Sequence, residues 1–152
     1  MLNEYTRLAR PFFVMLAIVT VGRWLMGTVF AVPYEKGTGV LSLVTLTLFA
    51  SLLSAVFLRP WLGWRLPRAA GFAMYMAVVA QLVILLSTAA SYVLGVPSYF
   101  SHPTALNQPE AVSLAQAMGI RAGGLVVNAL LNGIAGALGW ALGGLLPNRG
   151  GR

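Results

Sequence analysis

Cysteine is absent, and only three residues in 152 are acidic. The first absence excludes disulfides, thiol catalysis and cysteine-ligated metals. The second leaves Glu4, Glu35 and Glu110 as the only carboxylates, all outside the long apolar runs. Carboxylate-based acid–base work inside those runs therefore has no groups to use. The single histidine, His102, is too little for a typical zinc site and cannot give bis-histidine haem ligation. No metal and no cofactor is assigned. No phosphate loop, nucleophile elbow, HExxH or CxxC pattern occurs. Charge as a whole is scarce, at 9%, where a soluble domain carries roughly 25%.

What fills the chain instead is apolar. Hydrophobic residues make up 59%, and the mean hydropathy is +0.82. A soluble fold would have to bury nearly everything, whereas lipid replaces the missing polar surface. The net charge of +7 does not signal nucleic acid. Its arginines sit in short clusters between apolar runs, with no basic face and no interleaved aromatic platform.

The stretch with the clearest design is GGLVVNALLNGIAGALGWALGGLL, residues 123–146. It is long enough to cross a bilayer at 1.5 Å per residue. Val127, Leu131, Ile134, Leu138, Leu142 and Leu145 recur at steps of three and four and form one stripe. Asn128, Asn132, Ala135, Gly139 and Gly143 fall opposite. Small residues let helix backbones approach, and an amide in hydrocarbon needs a partner. Gly119–Gly123 and Gly139–Gly143 are both GxxxG pairs. With Gly133 and Gly136 they form the expected helix-packing set.

Three more spans precede it. The basic start MLNEYTRLAR leads into an apolar run from Pro11 to Val32. No A-x-A-like cleavage site ends that run, so it reads as an uncleaved first helix and not a signal peptide. The second span runs from Val40 to Leu58, with Thr47, Ser51 and Ser54 on one face. RPWLGWRLPR then carries the tryptophans and arginines of a membrane interface. The third span follows, with Gln81 its lone amide. The loop GVPSYFSHPTALNQP comes next, and Pro109 is expected to open the last helix, with Asn107 as its cap and Glu110 in its first turn.

The pattern predicts an all-α integral membrane protein, a single four-transmembrane-helix bundle over 1–152. The spans lie near 8–32, 40–58, 69–95 and 110–146. Arg7, Arg10, Arg59, Arg65, Arg68, Arg149 and Arg152 share one side, and Lys36 stands alone in the opposite loops. The positive-inside rule therefore places the N and C termini in the cytoplasm and the chain in a plasma (inner) membrane.

Two constellations remain. Arg23, twelve residues past Pro11, is expected near mid-membrane, about 18 Å along its helix. Gln81, Asn128 and Asn132 lie at a comparable depth. A charge there costs about 2.5 kcal/mol or more, so Arg23 is expected to point inward and bond to an amide or a backbone carbonyl. The four residues form either a polar path or a network that fixes helix register. On the outer side stand Tyr34, Glu35, Tyr99, His102, Glu110 and Arg121. The two outer loops are expected to pack together, with Tyr99 and Phe100 folded onto the helix ends.

The leading function is a non-catalytic membrane subunit or scaffold packing through small-residue helix faces. Its partners are the lipid bilayer and other membrane subunits or a second copy. A small channel or transporter lined by Arg23, Gln81, Asn128 and Asn132 is the alternative. A membrane enzyme ranks below both because carboxylates are so few.

Overall fold

The computed structural model describes residues 2–37 and 42–147, which form helices joined by loops, with no strand among them. The elements are α1 (Leu2–Leu8), α2 (Arg10–Thr28), α3 (Tyr34–Gly37), α4 (Leu43–Leu62), α5 (Leu66–Val93), a 3-10 turn at Pro103–Leu106, and α6 (Leu114–Gly143). Four of them, α2, α4, α5 and α6, are long and apolar enough to cross a membrane. Val40, expected to open the second span, lies outside the described residues, as do Arg149 and Arg152 of the basic tail.

The helix ends depart from the expected boundaries for identifiable reasons. α2 stops at Thr28, because Ala31 turns left-handed (φ 47°) where a helix usually ends on glycine, and Pro33 follows. α4 runs through Pro60 to Leu62 and ends on Gly63 at φ 62°. The proline removes only the N–H that would reach Val56. α6 begins at Leu114 and not at Pro109. Ser113 accepts from the Gln116 N–H at 3.3 Å, and the Gln116 Oε1 accepts from the Ser113 N–H at 3.0 Å. This S-x-x-Q capping box satisfies two orphan donors, which neither Asn107 nor Glu110 does.

α4, α5 and α6 form a close trio because their facing residues are small. A methyl group at Gly139 would overlap the Leu52 carbonyl, and one at Gly143 would overlap the Val56 carbonyl. The latter is the group that Pro60 leaves without its helical donor. At Gly136 an added methyl would come within 2.6 Å of the Ala73 Cβ. Gly133 sits against Met74. The stripe opposite, from Val127 to Leu145, is exposed throughout, as its spacing predicts. Gly119 and Gly123 behave differently from the rest of the packing set. Both are exposed, with nothing of the described chain within 4 Å of an added Cβ.

α2 stands farther from the trio, held on large side chains. Phe12, Leu16 and Val19 are buried against a core that includes Leu43, Phe72, Met76, Ala80 and Ile84. At the end of the bundle carrying Arg59 and Arg68 (the basic end), α1 leads into α2 through Ala9, whose N–H donates to the Tyr5 carbonyl at 2.8 Å. Tyr5 packs on Trp64 and Phe72, and its hydroxyl donates to the Arg68 carbonyl at 3.0 Å. Arg68 pairs with Glu4. Arg59 lies 3.9 Å above the Trp140 ring and donates to its carbonyl, while the Trp140 indole N–H donates to the Trp64 carbonyl at 2.7 Å. The interface tryptophans thus tie α4 to α6.

Candidate functional site

The opposite end is closed by the loop after α5. Ser98, Tyr99 and Phe100 are all buried. The Tyr99 hydroxyl donates to the carbonyls of Val32 at 2.7 Å and Pro33 at 3.2 Å, joining the two loops as expected. Its ring lies so close to Gly27 that a Cβ there would come within 2.9 Å of it. Ser98 hydrogen-bonds Ser91 through their hydroxyls at 2.6 Å and accepts from the Phe100 N–H at 3.1 Å. The Phe100 ring packs on Trp24. Tyr99→Phe is expected to keep the ring packing and lose only the hydroxyl bonds. We expect thermal unfolding in detergent to show a loss of about 1 kcal/mol. No measurable change would mean that this link between the loops is not needed.

Beneath this cap two arginines converge on one residue. Arg121 donates from Nη2 to the Phe100 carbonyl at 2.9 Å and from Nε to the Thr88 hydroxyl at 3.1 Å. The Arg23 guanidinium lies 5.3 Å from the Phe100 ring centre and 5.6 Å from that of Tyr99. Arg23 is buried at 8% exposure, so it points inward, as expected. With α2 ending at Thr28, Arg23 is five residues, roughly 7.5 Å, from the end of its helix. It therefore lies nearer the end of its helix than the middle. Tyr34 completes the arrangement, with its ring stacked on His102 at 4.5 Å and edge-on to Tyr99 at 5.5 Å.

The structure divides the four intramembrane polar residues. Asn132, at 1% exposure, accepts from the Ser51 hydroxyl at 2.7 Å and donates to the Asn128 carbonyl. Asn128 donates to the Gly124 carbonyl. Gln81 is buried on α5. Arg23 lies beside the rings of Tyr99 and Phe100, on the side of the bundle where Arg121 stands. Sequence reasoning had set Arg121 apart, among the outer residues. That outer set also divides: Tyr34, Tyr99, His102 and Arg121 come together, while Glu35 and Glu110 are exposed. Counting inward from the true helix ends would have paired the two arginines. Arg121 lies seven residues into α6, and Arg23 five from the end of α2.

Between the arginines lies a cavity of about 130 Å³, also lined by Tyr34, Ser42, Leu43, Val44, Ile84, Phe100 and Ala105. None of these residues is acidic. The arrangement holds no nucleophile beside a base. It can bind and orient an anion, and it ties the cap to α6.

Fold and site together define a multi-pass α-helical membrane protein. No family model matches the chain, and neither the curated proteins nor the solved structures yield a match.

Proposed function

We propose that the protein is a non-catalytic subunit or scaffold of a membrane assembly, with both termini in the cytoplasm of a plasma (inner) membrane. The observation that carries this reading is the use of the amides. Asn132 holds Ser51 of α4 and the backbone of its own helix, and Asn128 holds Gly124. The bond to Ser51 joins α4 to α6, so an amide that could line a path serves helix packing instead. Gly119 and Gly123, open on α6, offer a place where a helix of another subunit or a second copy can approach closely.

The orientation rests on the arginine bias between the two ends. The cysteine-free chain makes it easy to test. Glu110→Cys is expected to react with an impermeant maleimide in intact cells, and Arg65→Cys only after lysis. Both positions are exposed. The reverse pattern would refute the topology. For the role itself, proteoliposomes containing the protein are expected to leak ions and small solutes no faster than empty ones. A flux abolished by Arg23→Ala would overturn the scaffold reading in favour of a channel.

A further inference from the structure

We propose that the cavity between Arg23 and Arg121 is a phosphate-binding site, filled by the phosphate of a phospholipid headgroup or by free phosphate. This goes beyond the scaffold reading and does not depend on it.

Three features support the assignment. The first is charge. Arg23 and Arg121 line one cavity, and no carboxylate is among the described residues of its lining. The chain's acids lie elsewhere: Glu4 pairs with Arg68 at the basic end, and Glu35 and Glu110 are exposed. Like charges lining one cavity repel, and an anion between them relieves the repulsion. Guanidinium forks match the oxygens of an oxyanion and bind phosphate in bidentate fashion. Tyr34 and Ser42 are also in the lining, and hydroxyl side chains are of the kind that donate to a phosphate.

The second is size. About 130 Å³ is well above the ~30 Å³ share of a single water. It is below the ~300 Å³ at which pockets for drug-sized ligands begin. A tetrahedral oxyanion falls in this range, and a large organic ligand does not.

The third is depth. Arg23 and Arg121 lie five and seven residues from their helix ends, or roughly 7 to 10 Å. The headgroup zone adds about 6 to 7 Å to each side of the hydrocarbon core. Lipid phosphate is therefore available at about this level. Val44, at 39% exposure, gives the cavity an apolar edge over which an acyl chain can leave.

The full-length protein in lipid-free detergent, and the same protein reconstituted in phosphatidylcholine–phosphatidylglycerol vesicles and re-extracted, separate the two sources. If the ligand is free phosphate, inorganic phosphate raises the melting temperature of the lipid-free protein above that in chloride at matched ionic strength. If it is a headgroup, native mass spectrometry of the re-extracted protein shows one retained phospholipid per chain, and inorganic phosphate has no effect. In either case Arg23→Gln and Arg121→Gln should each weaken binding by about tenfold or more, since each removes charge-assisted hydrogen bonds. Arg65→Gln, at the basic end, should not. Far-UV circular dichroism shows whether the variants are folded. If they are not, the wild-type comparisons alone decide. Wild type with neither phosphate-specific stabilisation nor retained phospholipid would overturn the proposal. So would folded variants that bind as wild type does.

Discussion

Gly139→Val is expected to destabilise the bundle by about 3 kcal/mol, the upper part of the usual range for overpacking. The cause is geometric. An added Cβ at Gly139 would overlap the Leu52 carbonyl and come within 3.0 Å of the Ala55 Cβ. A flexible side chain could swing aside, but a helical carbonyl cannot without breaking its own hydrogen bonds. α4 and α6 would have to separate. The Ser51–Asn132 bond, on the same seam, would then stretch as well. Gly119→Ala and Gly123→Ala change the same residue type in the same GxxxG pattern, yet open space surrounds both. Each is expected to fall within about 0.5 kcal/mol of wild type in the monomer. Reversible unfolding in mixed detergent micelles measures all three. Equal losses at Gly139 and Gly123 would show that the intrachain seam is not what holds the fold. A loss at Gly123 that grows with protein concentration would instead mark a subunit contact.

Phe100→Ala is expected to cost about 3 kcal/mol or more, the usual price of removing a fully buried aromatic ring. Phe100 is 1% exposed. Its ring packs near both Trp24 and the guanidinium of Arg23, and its carbonyl accepts from Arg121. Truncation leaves a cavity beside a buried charge, where packing loss and exposure of the charge to water reinforce each other. Thermal unfolding reports the loss. Trp24 fluorescence should shift to longer wavelength as water enters. Phe100→Leu retains most of the volume and should cost under about 1.5 kcal/mol. If the alanine variant is as stable as wild type, with unchanged fluorescence, then the loop does not close the bundle as described.

The parts of this protein legible in its sequence are those governed by local, periodic rules. Length and hydropathy reveal four helices because lipid satisfies no backbone group, so each crossing must be a continuous apolar helix. The bulky and small faces of α6 follow from a spacing of three and four. The burial of Tyr99 and Phe100 could be anticipated because short loops between neighbouring helices must meet.

The helix ends were less legible. The Ser113–Gln116 capping box was visible in the sequence, yet Pro109 is an equally ordinary opening, and only the actual hydrogen bonds choose between them. The early stop of α2 rests on Ala31 at positive φ, which its side chain does not advertise. Those few residues place Arg23 nearer the end of its helix than the middle.

Sequence alone determined the class: an all-helical chain with four segments able to span a membrane, no thiol, and too few acids for carboxylate chemistry within them. These follow from composition and period, which no tertiary contact can change. Tertiary structure decided the partnerships. Asn132 could have met Arg23 or Ser51, and both lie within reach of a tilted helix. The close approach of α4 to α6 at Gly139 and Gly143 brought Ser51 to the amide. α2, held off by Phe12 and Leu16, kept Arg23 on the far side, among the aromatic rings of the cap and opposite Arg121. Residues so distant in the chain share no local pattern, so only helix packing could bring those two arginines to one cavity.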